Sequence, residues 1–156
     1  MATILNLFKF IESKRKQYQI PLKYKLINDL PLTKDDLNVN GNLNLAKTPI
    51  NSLPDNLNVD GDLIISNTKI KSLPDNLNVN GNLNLNHTLI KELPDNLNVP
   101  GWLSISNTKI ETIPNNLNIG QYLYISNTPL SKKYTKEQII KMIEENGGSV
   151  NGQVFM

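Results

Sequence analysis

Shifting the chain by 20 residues superimposes Leu53-Pro54-Asp55-Asn56-Leu57 on Leu73-Pro74-Asp75-Asn76-Leu77 and on Leu93-Pro94-Asp95-Asn96-Leu97. Ile113-Pro114-Asn115-Asn116-Leu117 follows in register. Five units are read without insertion or deletion, at 33–52, 53–72, 73–92, 93–112 and 113–132, with the consensus L-P-D-N-L-N-V-x-G-x-L-x-I-x-N-T-x-I-x-x. A fixed period of this length specifies a solenoid, because each short unit can bury its apolar side chains only against the next.

Apolar residues recur at unit positions 1, 5, 7, 11, 13 and 18, in rows such as Leu43, Leu63, Leu83, Leu103, Leu123 and Ile50, Ile70, Ile90, Ile110, Leu130. These rows are the expected core. The spacing of two in Leu57-x-Val59 and in Leu63-x-Ile65 is strand alternation, so each unit is expected to supply two short strands. Between them lies a turn at Gly41, Gly61, Gly81 and Gly101, where a positive φ is expected. The fifth unit carries Gly120 one place early and Gln121 in the usual slot, which predicts a remodelled turn.

Both ends call for caps, giving one folded domain with a helical cap over 1–32, the repeats over 33–132 and a helix-plus-strand cap over 133–156. Residues 2–18 place Ile4, Leu7, Phe8 and Ile11 on one helical face, fit to lid the first coil. Toward the other end, Thr135 followed by Gln138 reads as a capping box, and Ile139, Ile140, Met142 and Ile143 form an apolar face that Gly147-Gly148 stops. The alternation of Val150 to Phe155 predicts a last strand that covers the exposed edge or joins a partner.

Net charge is +2 overall, but residues 1–34 hold seven Lys/Arg against two acids, and the remainder nine against twelve. A solvated helix face accounts for the basic head, so nucleic acid is not the expected partner. The N-terminus has the marks of neither a signal peptide nor a membrane span, which predicts a soluble, cytoplasmic protein. Cysteine is absent. Disulfides and thiolate metal sites are therefore excluded.

Leu83-x-Leu85-x-x-Thr88-x-Ile90-x-x-Leu93-Pro94-x-x-Leu97 resembles the leucine-rich-repeat pattern L-x-L-x-x-N-x-L-x-x-L-P-x-x-L. The likeness covers 33–132. It is greatest to the short LP-containing repeats of secreted bacterial effectors and to the V-x-G-x-L type of phages and large DNA viruses. Two departures are Thr48, Thr68, Thr88, Thr108 and Thr128 in place of the family's buried Asn, and the inserted V-x-G segment. The resemblance implies a right-handed solenoid that binds a protein, such as a viral or bacterial factor that blocks or recruits a host protein.

No nucleophile–base pair, carboxylate pair or metal-ligand spacing is evident, and His87 has Lys47, Asn67, Asn107 and Asn127 as its counterparts in the other units. The reading is thus of a non-enzyme with no cofactor and no metal site. Asp35, Asp55, Asp75 and Asp95 form a stripe, read as turn chemistry within Pro-Asp-Asn. Asn38, Asn58, Asn78, Asn98 and Asn118 form an expected structural amide ladder.

Partner binding is placed on the strand that corresponds to the concave strand of leucine-rich repeats. Its outward positions read Asn42 and Asn44, Asp62 and Ile64, Asn82 and Asn84, Trp102 and Ser104, Tyr122 and Tyr124. Amides give way to aromatics toward the C-terminal end, and Trp and Tyr are the side chains that most often dominate protein interfaces. Ile64, Asn84, Trp102, Ser104, Tyr122 and Tyr124 are therefore the candidate partner-binding residues. Burial of this patch beneath the C-terminal helix is the competing structural expectation. A self-assembling homo-oligomer joined through coil edges or the tail strand is the alternative function, and an enzyme of unknown class the third.

Overall fold

The computed structural model describes residues 20–156, so the helix expected over 2–18 lies outside them. The described residues form a mainly-β parallel solenoid with a 20-residue repeat. A helix α1 (Leu22–Ile27) precedes a 3-10 turn (Asp35–Leu37) and then ten two-residue strands. These are β1 (Asn38–Val39), β2 (Leu43–Asn44), β3 (Asn58–Val59), β4 (Leu63–Ile64), β5 (Asn78–Val79), β6 (Leu83–Asn84), β7 (Asn98–Val99), β8 (Leu103–Ser104), β9 (Asn118–Ile119) and β10 (Leu123–Tyr124). Helices α2 (Pro129–Lys133) and α3 (Lys136–Glu145) follow, and β11 (Ser149–Val150) and β12 (Val154–Phe155) end the described chain.

The even-numbered strands make one parallel sheet of six, in the order β12-β10-β8-β6-β4-β2. Leu43, Leu63, Leu83, Leu103 and Leu123 pair in sequence along it, so four full turns separate the first from the last. Each leucine N–H donates to the carbonyl of the next strand, from Leu43 to Asp62 through Leu123 to Gln153, at 2.8–3.0 Å. The tail strand continues this ladder rather than standing apart from it, with Val154 opposite Leu123. Leu63, Leu83, Leu103 and Leu123 are all fully buried, as the repeat predicts.

Three row expectations gain a physical account. The Thr hydroxyls of Thr48, Thr68, Thr88, Thr108 and Thr128 each donate to the carbonyl three residues earlier, at 2.6–3.1 Å. They satisfy interior backbone groups. Lys47, Asn67, His87, Asn107 and Asn127 all sit in the left-handed region at φ 57–59°, which explains the recurrent Asn there and makes His87 a backbone position rather than part of a cluster. The amide ladder, by contrast, is shorter than expected. Asn58 donates to Asn38 and Asn78 to Asn58, but no such bond joins Asn98 to Asn78.

The ladder stops where the second sheet stops. The odd-numbered strands form two sheets of three, β1-β3-β5 and β11-β9-β7, with no pairing between β5 and β7. Asp60, Asn80 and Gly120 each donate their N–H to the carbonyl of Val39, Val59 and Val99. Pro100 occupies the equivalent place in its coil and has no N–H to give Val79, so the sheet divides there.

The glycine expectation needs correction. Gly41 has φ +87°, but Gly61, Gly81 and Gly101 do not have positive φ. Their reason is close approach: a Cβ on Gly81 would lie 2.5 Å from Asp62 Oδ1 and 2.7 Å from the Gly61 carbonyl carbon. The fifth turn is not remodelled either. Gly120 and Gln121 donate to Val99 and Gly101 at 2.9 and 3.1 Å, as Asn80 and Gly81 do to Val59 and Gly61. Glycine is needed at 61, 81 and 101 because Asn42, Asp62 and Asn82 reach under them to accept the N–H of Asp62, Asn82 and Trp102, at 2.8–2.9 Å. Trp102 has no such oxygen, so Gln121 fits in the next coil. Gly120 is instead required because a Cβ there would strike the Pro100 carbonyl.

At the C-terminal end, Thr135 and Gln138 form the expected capping box, Ile139 and Ile143 are buried, and Gly147 at φ +80° terminates α3. A second capping box, Thr128 with Ser131, starts α2. At the other end, α1 is docked by Lys25, whose ammonium lies 2.6 Å from Asp36 Oδ2, while Thr33 donates to the same oxygen through both N–H and hydroxyl at 2.7 Å. Burial raises the Asp36 carboxyl, but Lys25 and the two Thr33 bonds outweigh it and hold it below the ordinary aspartate value. Because its folded pKa is lowered, the contribution is present at neutral pH and is lost as pH falls through that lowered value. Asp36→Asn is expected to cost about 1 kcal/mol at neutral pH. Its melting temperature should converge on that of wild type in acid, and a gap that stays constant down to low pH would exclude this role.

Candidate functional site

The six-stranded sheet presents its alternate side chains outward because the inward set, Leu43 to Leu123 with Leu45, Ile65, Leu85, Ile105 and Ile125, fills the core. Along the outward rows the expected residues fall into two groups. Asn42, Asp62 and Asn82 fold down onto the next strand's N–H, and Asn84 turns back to accept the Asn86 N–H at 3.1 Å. These side-chain oxygens are mainly structural. Ile64, like Asn84, is half-buried.

Ser104 differs most from expectation. It is buried, at 5% exposure, and its hydroxyl donates to Asn86 Oδ1 at 2.7 Å, while the same oxygen accepts the Ser106 N–H at 2.9 Å. A small side chain held down between larger neighbours supplies the floor of the surface rather than a contact of its own.

Trp102, Tyr122 and Tyr124 come together as a ring cluster. Trp102 and Tyr124 meet edge to face at 6.2 Å, and Tyr122 and Tyr124 at 6.5 Å. Phe155, which the sequence reading did not assign to this site, completes it: its ring stacks on Tyr124 at 4.9 Å and meets Tyr122 at 5.9 Å. The signal was present in the alternation of the tail. It could be used only once Val154 was known to pair with Leu123, which sets Phe155 beside Tyr124.

The helix does not lid these rings. Among the described residues, α3 turns Ile139 and Ile143 into the core, whereas Tyr122 and Phe155 remain 41% and 40% exposed. The sheet's outward side chains near the rings are amides and hydroxyls, with Asp62 the charged member of the rows. Rings braced by T-shaped and stacked contacts form a firm apolar platform, whose phenol and indole groups leave polar handles at its margin.

Other surfaces offer less. A cleft of about 550 Å³ opens between α1 and the first coil, lined by Leu26, Ile27, Leu32, Ile50 and Leu53 with Lys25 and Asp29. In the acidic stripe, Asp95 accepts from the side-chain amide and the N–H of Asn115 in the next coil, which lower its pKa. That bonding runs along the axis rather than within the expected turn. Among the described residues no group of three His, Cys, Asp or Glu could hold a metal ion, and no helix is long and apolar enough to cross a membrane. Comparison with family models, with curated proteins and with solved structures finds no match to the chain.

Proposed function

We propose that this chain is a non-catalytic binding module of the leucine-rich-repeat type, with five units over 33–132 between capped ends, that holds a protein partner against the aromatic end of its six-stranded sheet. The observation that carries this reading is the four-ring cluster of Trp102, Tyr122, Tyr124 and Phe155, two of whose members are about two-fifths exposed. Exposed, mutually braced aromatics lose little conformational freedom on binding and bury a large area, which is why such groups dominate interfaces. Ile64 and Asn84 extend the contact, and Ser104 shapes its floor. The likeness to effector and viral repeats makes a host protein of the cytoplasm the partner class.

Capture experiments test the proposal. Trp102→Ala and Tyr122→Ala should each weaken a partner retained by wild type about 30-fold, the effect of removing a hot spot worth roughly 2 kcal/mol. Lys71→Ala, on a different face of the coil, should leave retention unchanged. Equal retention by all three variants, each still folded by its melting curve, would remove this face from consideration. Light scattering on the same samples distinguishes the self-assembly reading, under which wild type itself is oligomeric through its coil edges or tail strand and Trp102→Ala is oligomeric too.

A further inference from the structure

We infer that Asn40-Gly41 is a site of spontaneous covalent modification, a deamidation site that the solenoid leaves open in its first coil while shielding its other Asn-Gly steps. The sequence contains four such steps, at 40–41, 80–81, 146–147 and 151–152. In this reaction the glycine backbone nitrogen attacks the Asn side-chain carbonyl carbon. A C–N bond forms, ammonia leaves with the glycine proton, and the resulting succinimide takes up water at either carbonyl to give Asp or its β-linked isomer. The attack requires a glycine N–H without an acceptor and a backbone free to turn toward the side chain.

The direction of the hydrogen-bond ladder decides which glycines qualify. Gly61 donates its N–H to Gly41 at 3.0 Å, Gly81 to Gly61 at 3.1 Å and Gly101 to Gly81 at 3.1 Å, each one pointing back to the preceding coil. Gly41 stands at the head of this series, and among the described residues no acceptor faces its N–H. Its surroundings are open: Asn40 and Gly41 are both exposed, and a Cβ on Gly41 would meet nothing within 4 Å.

The other three steps are held. At 80–81 the N–H of Asn80 and that of Gly81 are both engaged, at 2.9 and 3.1 Å, and the Asn80 side chain donates to Asp60 at 3.4 Å. At 146–147 the Gly147 N–H donates to Glu144 at 3.0 Å, and the Asn146 amide is fixed on the Ile113 carbonyl at 3.0 Å. At 151–152 the Gly152 N–H, like that of Gly41, meets no acceptor among the described residues, but here crowding holds the step: the Asn151 N–H donates to Ile119 at 3.0 Å, and Gly152 lies so close to Gln121 that an added Cβ would strike its carbonyl. Succinimide formation there first requires a local opening of the coil.

The β-linked product adds the Cβ of residue 40 to the backbone ahead of the Gly41 nitrogen, which displaces the Gly41 carbonyl, the acceptor of the Gly61 N–H. Modification therefore loosens the first coil on the second, far along the array from the aromatic rings, and is independent of their proposed role. The experiment is to incubate the full chain in neutral buffer and follow each Asn-Gly peptide by mass spectrometry, both folded and in denaturant. Folded, Asn40 should convert about tenfold or more faster than Asn80, the ratio set by the opening that Asn80 requires. In denaturant the four rates should converge, and Asn40→Gln should abolish the early product in the folded chain. Equal folded rates at Asn40 and Asn80, or an Asn40 that stays intact when folded but converts when unfolded, would overturn the inference.

Discussion

Leu83→Asp should unfold the whole array rather than one coil, at a cost of at least about 4 kcal/mol. Leu83 is fully buried and pairs with Leu63 on one side and Leu103 on the other, so the new carboxylate would lie in an apolar layer with no cation facing it. Part of the cost is the lost leucine packing, and part is desolvation, which the group can relieve only by taking up a proton. Neighbouring coils depend on this one for both faces of their own layers, so the loss spreads. Asn84→Asp is the matched control. Its side-chain oxygen accepts the Asn86 N–H at 3.1 Å, a bond that aspartate keeps, and the change should stay under about 1 kcal/mol. Chemical denaturation of the two variants decides the matter, and similar midpoints would invalidate the inward assignment of Leu83.

Gly81→Ala should lower stability by about 3 kcal/mol, whereas Gly41→Ala should lower it by about 1 kcal/mol. The two glycines occupy equivalent places in the repeat for different reasons. At Gly81 the new methyl would lie 2.7–2.8 Å from the Gly61 carbonyl group, and the ladder bond from Gly81 to Gly61 prevents the strands from drawing apart. At Gly41 there is space for the methyl, and the cost is that of a side chain at φ +87°. A conformational explanation common to all the glycines would give Gly41→Ala the larger effect. Thermal melts that ranked the variants in that order would refute the close-approach account.

The 20-residue period and the alternation within it make the solenoid, its buried rows and both strands of each unit legible in the sequence. Periodicity reports burial, and burial is what fixes register. The same reading could not separate two causes of a conserved-looking glycine column, because φ and interstrand approach leave the same mark on a sequence. Gln121 carried the distinguishing clue. It occupies a glycine slot one coil after Trp102 replaces the Asx residue that would have reached beneath it.

At the candidate site, Trp102, Tyr122 and Tyr124 were legible as outward aromatics, but two features were not. Alternation marks Ser104 as outward but gives direction and not depth, and its large neighbours bury it. Phe155 was missed because 31 residues separate it from Tyr124, rather than the 20 of the repeat, so no sliding comparison aligns the two. The intervening α2 and α3 add the difference, and only the ladder shows that the chain returns to register.

Pro100 has a consequence for how the array holds together. In a stack of coils, stability is the sum of each coil's own free energy and its coupling to the two beside it. Between the coils of Asn80 and Pro100 one sheet is continuous and the other is interrupted, so that junction has a weaker coupling constant than those around it. It is the fracture plane of the rod. Under a pulling force or rising denaturant the array should part there first, leaving the aromatic rings together on the C-terminal fragment with β7 to β12.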